Sequence, residues 1–195
     1  MIFSETRLPG AYLIEPQLIQ DERGFFGRTW CAETFIAQGL NPELAQCNLS
    51  FNHRKGTLRG LHYQIVPYAE AKLVRCTMGA IFDVAVDLRP DSRSYLKWFG
   101  AELSAENRLM LYVPEGVAHG FQTLRDCTEV FYQMSQPYEP LAARGLCWND
   151  EILQINWPLA VSEISEKDCS YGRLSAALRL DDCPEDGKTA ERCAV

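Results

Sequence analysis

Between residues 73 and 134 of this 195-residue chain, short runs rich in Val, Ile, Phe and Tyr recur, each broken by Gly, Pro or Asp. Turn signals about ten residues apart fit an antiparallel sandwich or barrel. LVRCT (73–77), Met78-Gly79 and AIFDVAVDLR (80–89) read as a hairpin. In its second arm Phe82, Val84, Val86 and Leu88 take one face, and Asp83 and Asp87 the other. LKWFGAEL (96–103), RLMLYVP (108–114), GFQTL (120–124) and EVFYQM (129–134) are further strand candidates. The best helix candidate is CAETFIAQGL (31–40), with a second, short one near 161–170. From residue 181 the sequence DDCPEDGKTAERCAV loses apolar periodicity, which predicts a mobile tail over 181–195. The expectation is an all-β chain with a few short helices, forming one sandwich-like domain over residues 1–180.

Charge narrows the partners. The formal net charge is -7 and no basic run occurs, so a nucleic-acid backbone is not an expected ligand. A few arginines and lysines converging on one small anion stay possible, because net charge does not describe a local site. Glu5 and Arg7 stand where a signal peptide needs apolar residues. No segment approaches the roughly 18 apolar residues of a membrane span. The eight cysteines are scattered without a CxxC pair, so reduced, mostly packed thiols in a cytoplasmic protein are expected.

The stretch GTLRGLHYQIVPYAEAKLVRC (56–76) holds His62 and, ten positions on, Lys72. A metal-binding β-barrel of the cupin kind follows a glycine with His-x-His and a nearby Glu, and later carries Pro-x-Gly-x-x-His. Here Gly56 and His62 are present, but Gln64 fills the second histidine slot and only Glu70 could serve as the carboxylate. Pro114, Gly116 and His119 supply the later element. Two histidines fall short of the three protein ligands that a Zn or Fe site normally needs, and Lys72 would repel a cation. No metal and no cofactor are expected. His62 and His119 then read either as histidines satisfied by hydrogen bonds inside a sheet or as general bases, since imidazole titrates near neutrality. A base that removes a proton beside a carbonyl needs a cation or donor for the enolate oxygen, for which Lys72 is available. Inversion needs an acid on the opposite face, for which Tyr132 is available. Singly, Tyr132 reads as a packed aromatic and Lys72 as a surface charge; together they raise the catalytic reading. Arg23 and Arg59 each lie beside a glycine and read as surface residues or as a pair for a pyrophosphate.

Eight segments, taken in order, carry a resemblance: DERGFF (21–26), LRGLHYQ (58–64), KLVRC (72–76), FDVAVDLR (82–89), LSAEN (103–107), VPEGVAHGF (113–121), WND (148–150) and SEKD (165–168). With them the chain resembles the dTDP-4-dehydrorhamnose 3,5-epimerase family over about residues 1 to 170. The resemblance implies a metal-free, cupin-type jelly roll (a double-stranded β-helix) that epimerises a nucleotide-linked 4-keto-6-deoxysugar at C3, C5 or both. It implies His62 as the base, Asp168 as the carboxylate that orients it, Tyr132 as the acid and Lys72 as the residue near the ketone oxygen. His119 would contact the sugar, Arg23 and Arg59 the diphosphate, and Tyr138 the nucleotide base. Gln46 and Asn48 match a binding element as QCN, and Phe26 and Lys167 fall within matched binding segments. A homodimer in which an N-terminal strand pairs with the neighbouring subunit is implied as well. Two positions depart from close dTDP-rhamnose enzymes: Arg28 and Ala143 stand where those enzymes carry glutamates, which bears on the nucleotide or sugar chosen.

Overall fold

Strands rich in β-branched and aromatic residues need two apolar faces to meet, and here two antiparallel sheets face each other. The computed structural model describes residues 1–174, and the tail expected over 181–195 lies outside them. In chain order the elements are β1 (Ile2–Glu5), β2 (Tyr12–Glu15), β3 (Leu18–Asp21), β4 (Gly24–Gly27), α1 (Ala32–Ala37), β5 (Gln46–Asn52) and β6 (Leu58–Gln64). There follow β7 (Lys72–Met78), β8 (Ala80–Asp87), β9 (Trp98–Ser104), β10 (Met110–Val113), β11 (Val117–Thr123), β12 (Thr128–Met134), β13 (Ala143–Gly145) and α2 (Glu166–Cys169). One sheet runs β1-β2-β10-β7-β12-β5, the other β13-β6-β11-β8-β9, and β3 and β4 form a separate ribbon. The all-β jelly-roll expectation holds, and both helix candidates are present in shortened form. No helix among the described residues is long and apolar enough to cross a membrane.

Between the sheets, Val74, Cys76, Leu111 and Val130 of one meet Ile81, Ala85, Leu103, Val117 and Phe121 of the other. The outer face of the five-stranded sheet is covered as well. Val84, Val86, Leu61 and Ala118 pack there under Leu146, Leu153 and Trp157. On the six-stranded sheet, Phe35 of α1 covers Ile14, Leu73, Met110 and Tyr112. Burial on both faces changes the meaning of the alternation in β8. Its two faces separate as expected, but Asp83 and Asp87 point away from solvent and are fully buried. Asp87 accepts from Arg89 Nε at 2.8 Å, Ser92 Oγ at 2.6 Å and Ser94 Oγ at 2.5 Å. Burial alone would raise its carboxyl, but these bonds outweigh it and hold the group down at about 2.

The hairpin expected at Met78-Gly79 does not form. β7 lies between β10 and β12, whereas β8 lies between β11 and β9, so the chain changes sheet at Gly79. The turn chemistry explains it. Two-residue hairpins that suit strand twist need positive φ at both central residues or at the first. Of this pair only the second, Gly79, is left-handed, at φ 77°. The thiols also depart from expectation. Against the expectation of reduced thiols, Cys147 is disulfide-bonded. Cys31, Cys47, Cys76, Cys127 and Cys169 are free, but of these only Cys76 is buried, and Cys47 and Cys127 are exposed. Cys47 shares the outward face of β5 with Leu49 and Phe51, and Cys127 sits at φ 52° in the turn before β12.

A side chain at the sheet-changing corner has no room. A Cβ on Gly79 would come within 3.1 Å of the Thr128 Cα and closer still to its hydroxyl. Gly79→Ala therefore combines left-handed strain with overpacking and should cost roughly 2–4 kcal/mol. Urea denaturation would register this as a lower midpoint at unchanged slope; an unmoved midpoint would mean that the corner has slack.

Candidate active site

His62 on β6 and His119 on β11 are direct cross-strand partners, so both rings leave the same face of the five-stranded sheet. The strands approach closely beside them because Gly60 and Gly120 carry no side chains. A Cβ on Gly60 would meet the His119 carbonyl at 2.8 Å, and one on Gly120 the Arg59 carbonyl at 2.7 Å. Asp168 reaches His62 from α2. Ser165 caps that turn, its Oγ accepting from the Asp168 N–H at 3.0 Å. The buried Asp168 carboxylate then accepts from the Gly60 N–H at 3.2 Å and lies 2.6 Å from His62 Nε2. Burial works to raise this carboxyl, but the hydrogen bond and charge of His62 and the bonds from Gly60 and Ser165 leave it below the usual range. An ionised acceptor at Nε2 fixes the tautomer with Nδ1 free, which is the form a base needs.

The facing sheet supplies a cation and an acid. Lys72 on β7 is buried with its Nζ 2.8 Å from Glu70 Oε1, and it donates to the His62 carbonyl at 3.2 Å. Tyr132 on β12 is half-buried; burial pushes its hydroxyl up, the nearby Arg59 charge opposing, so the phenol keeps its proton at neutral pH. His119 Nε2 lies 2.7 Å from Asp83 Oδ1. Burial pushes the Asp83 carboxyl up, against the charges of His119 and Lys72.

These groups line one cavity of about 500 Å³. His62, Asp168, Lys72, Tyr132, His119, Arg59, Tyr138 and Lys167 all contribute to its wall. Gln46 and Asn48 do not. Gln46 accepts from the Tyr138 N–H at 2.7 Å and donates to Asn48 Oδ1 at 3.1 Å, so the pair braces the loop that carries Tyr138. Arg23 and Phe26 are not brought to the cavity of their own chain: both are exposed on the β3–β4 ribbon, Arg23 paired with Asp21. Ala143 lies in the cavity wall and Arg28 does not.

Several site residues escaped the sequence reading. Tyr171 packs its ring edge-on against His62 at 5.9 Å, in space that Gly145 leaves by having no side chain. The Lys167 ammonium faces the hydroxyls of Tyr171 and Tyr138, which raise its proton affinity. Asp83 is a charged residue in the middle of a strand whose other members, up to Asp87 at its end, are apolar, and that contrast is the signal that could have marked it. Glu70 entered only as a weak metal candidate. The histidines and carboxylates pair with one another rather than converging on a point, and no group of three or more potential metal ligands occurs among the described residues. The arrangement can remove a proton from carbon on one side of a bound ketone and return one from the other.

The family model described as dTDP-4-dehydrorhamnose 3,5-epimerase matches residues 5–176. The chain is 45% identical over 165 residues to the dTDP-4-dehydrorhamnose 3,5-epimerase of Shigella flexneri, covering 84% of this chain and 91% of that protein. The crystal structure of dTDP-4-dehydrorhamnose 3,5-epimerase from Bacillus anthracis str. Ames, with TDP and PPi bound, superposes with a TM-score of 0.85 at 40% identity, over 89% of this chain and 99% of that one. The dTDP-6-deoxy-D-glucose-3,5-epimerase from Legionella pneumophila Philadelphia 1, in complex with dTDP-4-keto-L-rhamnose, gives 0.80 at 36% identity, over 86% of this chain and 89% of that one.

The lowered Asp168 carboxyl carries a stability signature. A carboxylate whose folded pKa is depressed stabilises the fold fully above the unfolded value, about 3.9, and loses that contribution as pH falls through the lower folded value. Asp168→Asn should therefore lower the Tm at pH 7, and the gap from the unsubstituted protein should close towards pH 2. A gap that stays constant with pH would assign the effect to packing.

Proposed function

Because the chain belongs to the dTDP-4-dehydrorhamnose 3,5-epimerase family, we propose that it inverts C3 and C5 of a dTDP-linked 4-keto-6-deoxysugar, as an isomerase without redox chemistry. One observation carries this reading: His62 and Tyr132 project from opposite sheets into a single cavity that Lys72 also lines. The 4-keto group acidifies the protons on C3 and C5, because the resulting carbanion delocalises onto O4. His62 Nδ1 takes the proton as general base, and Asp168 holds the ring and supports the imidazolium. Lys72 donates to the enolate oxygen in a cavity that shelters the charge from water, where that contact counts for more. Tyr132 gives its proton to the opposite face of the carbon. Solvent exchange then returns a proton to the phenolate and removes one from the imidazolium. His119 is assigned to the sugar hydroxyls, and no step requires a metal.

For the nucleotide, Arg59 and Lys167 suit the diphosphate as charge-assisted donors, and the exposed Tyr138 at the cavity rim suits stacking on the base. Gln46 and Asn48 support Tyr138 from behind. Arg23 and Phe26 can serve only if a second copy lends its β3–β4 ribbon, so a homodimer is part of the proposal. The exposed Ile19, Phe25 and Phe26 on that ribbon favour such a contact. A cytoplasmic setting is proposed from the cysteine spacing. The same residues would serve inversion at a single carbon, and Ala143 in the wall bears on which sugar fits.

Separating acid from base tests the reading. Tyr132→Phe keeps the ring and deletes the hydroxyl. In D2O it should still wash deuterium into C3 and C5 with retained configuration while making little inverted product, as followed by NMR. His62→Ala should lose exchange at both carbons by roughly 10²–10⁴-fold. Inversion by Tyr132→Phe near the unsubstituted rate would assign the acid elsewhere, and exchange at one carbon only would make this a single-centre epimerase.

The shared site makes a second forecast. Arg23→Ala and His62→Ala chains should each be weak alone, and mixing them after subunit exchange should restore activity, because the mixed dimer rebuilds one complete site. No recovery on mixing, with exchange verified, would return Arg23 to its own chain or to the surface.

A further inference from the structure

Lys72 is asked to meet a developing enolate, and the structure specifies how its charge is held. An ammonium offers three hydrogens. One of those on Lys72 goes to Glu70 Oε1 at 2.8 Å and one to the His62 carbonyl at 3.2 Å, which leaves one for the cavity. The two side chains are 8% and 2% exposed, so solvent does little to support either charge. Glu70 sits on fixed backbone: the next residue, Ala71, donates to Ser135 Oγ at 2.8 Å and accepts from the Ser135 N–H at 3.0 Å. Glu70 Oε2 is buried without a hydrogen-bond partner among the described residues, so the contact of Oε1 with Lys72 is what anchors this carboxyl. Glu70 also lines the cavity.

We propose that Glu70 is a positioning residue for the epimerisation: it keeps Lys72 charged and turns the third N–H towards the ketone oxygen of the bound sugar. This rests on the reading of Lys72 as the enolate partner. A buried ammonium without a counter-charge favours its neutral form, and a neutral amine stabilises an enolate far less. Among the described residues, Glu70 is the carboxylate in ion-pair contact with the Lys72 ammonium. The groups around Lys72 are His62 on β6, with Asp168 beyond it, Asp83 on β8, His119 on β11 and Tyr132 on β12, while β10 sets Val113 opposite it. Asp168 is committed to His62; Asp83 bonds His119 through Oδ1 and acts on Lys72 through space, without an ion-pair contact.

The experiment is the pH dependence of deuterium wash-in for the unsubstituted protein, Glu70→Gln, Glu70→Asp and Lys72→Met, with dTDP-4-keto-6-deoxyglucose as the probe. Glu70→Gln keeps the shape and removes the charge. Its rate should fall away on the alkaline side at a pH about one unit or more below that of the unsubstituted protein. Glu70→Asp, whose shorter side chain lengthens the contact, should move in the same direction by less; if Glu70→Gln does not fold, it carries the test. Lys72→Met should lose wash-in at every pH. Near-normal exchange by Lys72→Met would overturn the reading of Lys72 and the role of Glu70 with it. An inactive Lys72→Met beside a Glu70 variant whose profile superimposes on the unsubstituted one would leave Lys72 in place and overturn the role of Glu70 alone.

Discussion

An ionised group moved from water into a protein interior is tolerated only with a partner, and that rule organises the cavity. His62 is held by Asp168 at 2.6 Å, His119 by Asp83 at 2.7 Å and Lys72 by Glu70 at 2.8 Å. Each pair fixes one end of a functional side chain and leaves the other towards the cavity. Orientation is therefore settled before a ligand arrives, which is the condition for electrostatic stabilisation without rearrangement.

What the sequence disclosed follows from which faces are apolar. The strands from β7 to β12 could be read because their inward positions alternate with others at a period of two. β5 could not. Its Asn48, Ser50 and Asn52 share the face of Tyr132 and Val130, while the apolar Leu49 and Phe51 are exposed at the edge of the cavity. A polar cavity inverts the usual pattern there, and a reading tuned to apolar interiors passes over it. Asp83 went unmarked as well, assigned only to the face opposite Phe82, Val84, Val86 and Leu88, in a strand that is buried on both faces. His62, Lys72 and Tyr132 were legible as a combination because their chemistry is complementary. Tyr171 was not, because its place depends on the missing side chain of Gly145, a fact about space rather than pattern.

The failed hairpin has a positive meaning. Had β7 and β8 paired, Lys72 and Asp83 would stand on one wall. Because the chain changes sheet at Gly79, neighbouring stretches of sequence supply opposite walls of the cavity. The proposed base and acid are divided in the same way, His62 with one sheet and Tyr132 with the other, so a sugar ring bound between the sheets would present one face to each.

Asp168 joins His62 across 106 residues of sequence, after the last strand has been laid down. A chain emerging from the ribosome can pair its strands through β13 before that carboxylate exists, since domains begin to fold during synthesis. The contact that orients His62 is thus made late in the synthesis of the described fold. A copy not yet extended to α2 holds a cavity whose His62 ring lacks the Asp168 carboxylate, and the proposed proton abstraction waits on that turn.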